Sequence, residues 1–502
     1  MKKIFSVAII FMSIFSIKSQ NYELDAIRFS TNNFLGTAWF VAVGGAFSSV
    51  GADFSNLSYN PAGIGMYRNS SVMLTPGFNI NNAKSAYRGS ESTANQNKFL
   101  IPNMGAIFAT TKTGGSIQSA AFGIGVNRMA DYNRRQSFSG FNNDPGNSIT
   151  NAWVNDANLN SDFFPGSVDV FFDDFPTNAL NAYDAYLLNI DFDNNTWSSP
   201  VGDEITQRRS ISSLGGKQEV ALSGGANYLD KLYFGATIGI PILRYESTTR
   251  FIEEDRDGVN PDFDDLELVE TYEARGAGVN FKAGLIYRIS SKFRIGGAFH
   301  SPERLSLTEK FSNQTSANVY NFEDDFFGSF QSDLSQGEFD FTLRTPWRAN
   351  VGVSYFLNQS GFLSVDYEVV DYSSIRYDFG FNFEDFADGI NDGIRNNYKI
   401  AHNVRVGLEG VIDNFRLRAG YNYIGSPLKR ELQDDTHNYA HHRISGGFGV
   451  ISNRIAFDLT VQHGFTKEFE LPYQLPNQNV AEVRRNVSNT IVLATLGIRI
   501  NR

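Results

Sequence analysis

The chain of 502 residues has no cysteine, which removes several classes of protein at once. A disulfide framework, a thiolate metal site, a cysteine nucleophile and a lipidated N-terminal cysteine are all excluded. Proline is scarce, at 14 residues. No Pro/Ser-rich linker or break in composition divides the chain into the several soluble domains its length would suggest. Beyond the N-terminus no apolar run approaches the ~20 residues of a membrane helix, so helical spans are excluded. Basic residues are in deficit, 43 against 54 acidic, for a formal charge of −11. That balance argues against a nucleic-acid partner, which needs basic patches to neutralise phosphate. No Gly-x-Ser-x-Gly elbow, Walker loop, HExxH or dinucleotide fingerprint occurs, so no catalytic residue is assigned and no enzyme is expected.

What is present is glycine (45), phenylalanine (44) and tyrosine (22), set in a pattern of period two. Lys2 and Lys3 precede the apolar run Ile4 to Ile17, and Ser19 is a small residue at a cleavage position. Residues 1–19 therefore read as a signal peptide and the protein as exported. From Ser71 onward apolar and polar residues alternate. Val492, Ala494, Leu496, Ile498 and Ile500 share one face, with Thr495, Gly497, Arg499 and Asn501 on the other. Fourteen such stretches are counted, near 71–80, 103–111, 117–130, 217–229, 231–250, 268–289, 291–312, 338–357, 359–379, 401–412, 414–424, 438–451, 453–466 and 488–501. Tight turns such as Asp230, Ser290-Ser291 and Asp413 alternate with long connections at 81–102, 131–216, 251–267, 313–337, 380–400, 425–437 and 467–487. An even strand number with short turns on one rim and long loops on the other is the rhythm of an outer-membrane barrel. The fold class expected is all-β, a 14-stranded antiparallel transmembrane β-barrel over 69–502, with 131–216 its longest extracellular loop. A lumen of that width needs closing, and the segment 20–68 is the available plug.

That segment contains Gly44 to Tyr67, GGAFSSVGADFSNLSYNPAGIGMY, in which Asn60, Pro61, Ala62 and Gly63 fit a type I turn position by position. The wording resembles the N-terminal hatch of the FadL/TodX family of outer-membrane transporters. The resemblance implies a hatch over 20–68 and passive uptake of a hydrophobic small molecule, a long-chain fatty acid or a related lipophilic or aromatic compound. It also implies an apolar pocket beside the hatch, a monomer surrounded by outer-membrane lipid, and no resident cofactor. In the family the wall opens sideways at a kink in the third strand, here 117–130 with Gly123 and Gly125. Two other uses of such a barrel are a shuttle for protein secretion and capture of haem or another porphyrin.

Several residue groups are candidates for ligand contact. The inward face carries Lys282, Arg288, Arg294, Arg344, Arg348, Arg405, Arg416, Arg418 and Arg499 among Asp366, Glu368, Glu409 and Asp458. These form either a lumenal ion-pair network or, at Arg416 and Arg418, a grip on a carboxylate. Phe163, Phe164, Phe171 and Phe172 in the long loop offer a landing place for a greasy ligand. Asp255, Asp257, Asn260 and Asp262 have the composition of a calcium loop without EF-hand spacing, a solvated acidic loop being the alternative. His437 and His441 share a face of an extended segment and His442 does not, so a metal or haem would use the first two. Pro76, Pro241 and Pro346 fall inside strands, where the missing N–H predicts interrupted ladders.

Overall fold

The computed structural model of the protein describes residues 19–112, 115–160, 176–191, 193–321, 325–429, 439–476 and 478–500. Its strands form one antiparallel sheet that closes on itself, Ser70 pairing with Ile500 and Ala86 with Arg484. Fourteen strands make the circuit. The first six are Ser70–Tyr87, Ser90–Thr111, Ile117–Asp131 continued by Arg134–Asn142, Ile205–Tyr228, Leu232–Glu254 and Phe263–Arg288. The seventh is Phe293–His300 with Arg304–Asn321, and the eighth Phe326–Gln331, Ser335–Arg344 and Arg348–Phe356. The ninth is Gly361–Asp371 with Arg376–Asp378. Ile400–Ile412, Phe415–Ile424, His441–Ile451, Ile455–Glu470 and Val483–Ile500 complete the barrel.

Alternation sets the two faces. Outward residues such as Phe78, Phe234, Leu285, Leu417 and Leu496 are exposed, whereas their inward neighbours, including Asn79, Lys217, Glu219, Asp366 and Thr495, are buried. A tilted spanning strand needs ~9–11 residues, but Ser90–Thr111 has 22 and Phe263–Arg288 has 26. The surplus projects beyond the membrane, where the outward face turns charged with Arg244–Glu246 at 2.6 Å, Arg250–Glu267 at 3.0 Å and Lys310–Glu338 at 3.0 Å.

This projection corrects five expected loops, among them 467–487, where Lys467 pairs with Asn486 through Glu470 with Val483 and leaves 471–482 as the connection. Residues 81–102 are a hairpin whose turn is Arg88-Gly89, both at positive φ (46° and 77°). Two such residues give the primed turn that suits strand twist. The ends of 131–216 also pair, Arg134 with Ser213 through Asn142 with Ile205, so the outer connection is 143–204 and carries the helices Ile149–Asn160 and Thr177–Asp184. Ladder likewise shortens 251–267 to 255–262, and within 313–337 Asn321 pairs with Phe326. Outside the membrane neither face meets lipid, so these strands lack the apolar alternation that marks the rest.

The prolines interrupt ladders as expected. Pro76 sits at a register shift between Thr75 and Gly77, Pro241 at a gap in the ladder between the fifth and sixth strands, and Pro346 in the break of the eighth strand. The Thr345 to Trp347 break also reverses which side chains face inward. Arg344 is consequently exposed while Arg348 is buried.

Candidate functional site

Residues 19–69 lie inside the barrel. They form the helix Ser19–Ser30, a short helix Ala38–Ala42 capped by Thr37, and two 3-10 turns, Phe54–Leu57 and Pro61–Met66. The turn at Asn60 closes as expected, with Gly63 N–H donating to the Asn60 carbonyl at 3.0 Å. It is not an isolated type I turn, because the chain continues as 3-10 helix with Pro61 in its first turn and Asn60 as N-cap. The Asn60 amide is used twice. Its oxygen accepts from Ala62 N–H at 3.2 Å and its nitrogen donates to the Ser48 carbonyl at 2.6 Å. Glycines seat this turn against the wall. A Cβ on Gly235 would stand 2.3 Å from the Pro61 carbonyl oxygen, and one on Gly284 1.9 Å from Asn60 Oδ1.

Side chains from around the circuit satisfy the carbonyls of the enclosed segment. Thr237 donates to Leu57 (2.7 Å), Ser119 to Gly65 (2.9 Å), Arg294 to Val50 (2.9 Å), Ser445 to Ala42 (3.0 Å) and Thr460 to Ala38 (2.7 Å). Ala38 N–H donates to Thr495 Oγ1 at 2.7 Å, and that hydroxyl also meets Thr75 Oγ1 at 2.8 Å across the closing ladder of the barrel. Buried ion pairs occupy the rest of the inward face. They are Lys282–Glu219, Lys217–Glu303 at 2.9 Å, Glu368 between Arg348 (3.2 Å) and Arg405, and Arg418 between Glu409 (2.6 Å) and Asp458.

Arg418 thus has two carboxylates, lies 5.3 Å from the ring of Trp39, and does not line the cavity described below. Arg416 lies at a tight turn of the rim, where its guanidinium donates to the carbonyls of Asp413 (2.8 Å) and Phe415 (3.0 Å). It is a turn clamp, away from the lumenal ligand path on which the sequence placed it. Arg499 is exposed near the same rim.

Beyond the enclosed segment, toward the long loops, the lumen holds a cavity of about 450 Å³. Leu24, Leu35, Tyr132, Tyr245, Tyr272 and Phe311 give it an aromatic and aliphatic share of wall, and Arg28, Arg134, Arg443, Glu468 and Glu470 give it charge. The pocket expected to be apolar is therefore amphipathic. Most of its cations are neutralised, Arg28 by Asp25, Arg134 by Glu468, and Arg485 behind them by Glu470 at 3.1 Å. Arg443 differs. Its guanidinium donates to Asn33 Oδ1 at 2.7 Å, and among the described residues no carboxylate lies within ion-pair distance. The sequence drew no attention to Arg443, because it opens a strand in which nothing distinguishes it from a lumenal filler.

The wall beside this cavity has a break. The ladder between the second and third strands runs from Thr111–Ser119 to Asn103–Asn127 and stops there. Residues 90–100 of the second strand pair only with the first. The third strand shifts register between Arg128 and Ala130, is interrupted at Tyr132-Asn133, and turns into the lumen. Asn81 there donates to the Asn133 carbonyl at 2.7 Å, and Phe138 packs on the buried Tyr87 ring at 4.6 Å. Asn79, Asn81, Asp131, Tyr132 and Asn133 line the cavity, so it abuts the break. Gly123 and Gly125 are not at the break but in the intact ladder. Leu57 and Phe54 of the enclosed segment fill the space their side chains would take, with Phe54 Cζ 2.3 Å from a Cβ on Gly125.

Other candidates are not brought together. Phe163, Phe164, Phe171, Phe172 and His437 lie outside the described residues. Asp255 turns its carboxylate onto the amides of its own loop, Asp257 (3.2 Å), Val259 (3.3 Å) and Asn260 (2.6 Å). The Asp255 carboxylate thereby closes the loop that also holds Asp257, Asn260 and Asp262, and no group of three metal-ligating side chains occurs among the described residues. His441 and His442 both line the cavity, and His442 also meets the Tyr421 hydroxyl at 2.8 Å and stacks on Phe465.

Residues 26–436 match the family model described as outer membrane protein transport protein (OMPP1/FadL/TodX). A FadL homologue from Pseudomonas aeruginosa is similar in fold, with a TM-score of 0.55 at 11% identity over 94% of this chain and 99% of that one. The toluene transporter TodX of P. putida is similar with a TM-score of 0.51 at 12% identity over 93% and 99%. No curated protein sequence matches this chain.

Proposed function

This chain belongs to the outer membrane protein transport family and is a β-barrel of the Gram-negative outer membrane; from that premise we propose that it takes up hydrophobic molecules carrying a carboxylate, long-chain fatty acids in the first place, by passive diffusion. The observation that carries the reading is Arg443, a lumenal cation with no carboxylate within ion-pair distance among the described residues, in an amphipathic cavity that abuts a break in the wall. The acyl chain lies against Tyr132, Tyr245, Tyr272 and Phe311 while the carboxylate takes the charge-assisted hydrogen bonds that Arg443 has free. A bare hydrocarbon would leave that guanidinium unpaired. Residues 19–69 act as the hatch, closing the axial route, so the ligand leaves sideways where residues 90–100 have no partner in the third strand. No step requires a nucleotide or a proton relay.

The test is calorimetric binding of oleate and of oleyl alcohol to the detergent-solubilised protein. A hydrogen bond to a charged group contributes about 1.5–3 kcal/mol, so Arg443→Gln is expected to weaken oleate by roughly 10- to 150-fold and to leave the alcohol unchanged. Equal effects on both ligands, or none on oleate, would remove Arg443 from the site.

A further inference from the structure

The membrane-facing side of the barrel carries a groove of about 1170 Å³, lined by the fourth to eighth strands and almost wholly apolar. The groove exists because small residues occupy outward positions on adjacent strands. Gly224, Ala226, Ala236, Ala283 and Gly297 form the floor, and the larger Phe234, Leu285, Ile295 and Phe299 rise around them. Alternation elsewhere fills such positions with exposed large side chains, so this depression is local.

A second observation concerns charge. The strands that line the groove end in the tight turns of the short-turn rim, and these carry Lys231, next to the groove residue Leu232, and Lys292, which immediately precedes the seventh strand. Both lysines are exposed, and among the described residues neither has a carboxylate within ion-pair distance. The nearby Asp230 is held by Arg68. Arg288, whose amide donates to the Lys231 carbonyl at 2.8 Å, adds to the positive field. An apolar trough in the lipid band that ends at free lysines on the rim matches an amphiphile with acyl chains above and an anionic phosphate below, each lysine stem lying along the apolar surface with its ammonium in water.

We propose that this groove holds one phospholipid of the periplasmic leaflet as a bound partner, its acyl chains on the Gly224, Ala236, Ala283 and Gly297 floor and its phosphate between Lys231 and Lys292. The experiment is native mass spectrometry of the full chain released from nanodiscs of equal parts phosphatidylglycerol and phosphatidylcholine. One retained lipid per protein is expected, with phosphatidylglycerol favoured at least tenfold. Lys231→Gln with Lys292→Gln alters only exposed turn residues and is expected to bring that preference to about one. Ala236→Leu with Ala283→Leu fills the floor from the outside and is expected to abolish retention of either lipid at unchanged heat-modifiable mobility. Retention that survives the filled groove, a preference that survives loss of both lysines, or a dimer mass in place of the lipid adduct would overturn the proposal. These readouts do not involve Arg443 or oleate, so they stand or fall apart from the transport reading.

Discussion

Asn60 offers the sharpest perturbation of the enclosed segment. Replacing it by Ala removes the acceptor for Ala62 N–H and the donor to the Ser48 carbonyl, both in a fully buried place. Loss of an N-cap side chain costs about 0.5–2 kcal/mol, and an orphaned buried carbonyl about 1–3 kcal/mol. Together they weaken the seating of residues 37–66 by roughly 1.5–5 kcal/mol, a shift of about 10- to 5,000-fold in the ratio of unseated to seated segment. The wall loses nothing, since its backbone bonds close on themselves around the circuit. Expected, therefore, are barrels of parental heat-modifiable mobility that leak small sugars in liposome swelling and exchange the amides of 37–66 faster. Asn60→Asp keeps the acceptor but sets a buried carboxylate oxygen against the Ser48 carbonyl, so it should leak at least as much as Ala. If leakage and exchange both match the parent, the Asn60 turn does not hold the segment in place.

Three further outcomes follow from particular contacts. Gly125→Ala pushes a methyl group toward Phe54 and should destabilise the enclosed segment by about 1–3 kcal/mol, read as sugar leakage; slowed release of ligand with no leakage would return Gly125 to the lateral path. Glu219→Gln leaves Lys282 buried without its charge partner and should cost about 3–5 kcal/mol, seen as a lowered denaturant midpoint, with Glu219→Gln/Lys282→Met recovering most of it. Glu253 lies beyond the apolar belt, where burial pushes its carboxyl up to about 7 despite donors from Ser148, Ile149 and Gln207. A carboxyl raised in the folded state binds a proton that the unfolded chain has released, so the stability it contributes is present at low pH and lost as pH rises from about 4.5 through 7. Protection factors of the amides in Ile149–Asn160, in which the intrinsic base-catalysed rise of exchange with pH is divided out, should accordingly be higher at pH 5.5 than at pH 8.5, and Glu253→Gln should abolish the difference.

The membrane-spanning parts of the strands were legible because lipid on one side and a polar lumen on the other impose a strict period of two, as in Val492 to Ile500. The same physics hid the rest. Above the membrane both faces of 79–98 meet water or protein, so Asn81, Asn82, Lys84, Ser92, Thr93 and Asn95 read as a loop although they pair residue for residue. The break in the third strand has no proline to announce it. Asn133 leaves the ladder where the lumenal Asn81 donates to its carbonyl and Asn79 to the neighbouring Asp131 carboxylate, a long-range cause that local sequence does not carry. Gly123 and Gly125 were visible as glycines, but only the position of Phe54 and Leu57 tells that they serve close packing. Arg418 and Arg443 look equivalent in sequence; their partners, Glu409 and Asp458 for one and Asn33 for the other, separate a structural guanidinium from an available one.

The hydroxyl of Thr495, shared by Thr75 and the amide of Ala38, has a consequence for assembly. The first and last strands are the most distant in sequence of any that pair, so their junction is the costliest loop closure in the molecule and the natural last step of folding. Ala38 precedes the first strand and yet bonds to the last. The final zipping event therefore joins three parts of the chain at one point, and a barrel that sealed before the N-terminal residues were inside would leave the hydroxyls of Ser445 and Thr460 without their acceptors and that of Thr495 with Thr75 alone. Assembly intermediates should accordingly be open sheets already wrapped around the N-terminal segment, and a chain lacking residues 37–66 should close its wall more slowly as well as leak.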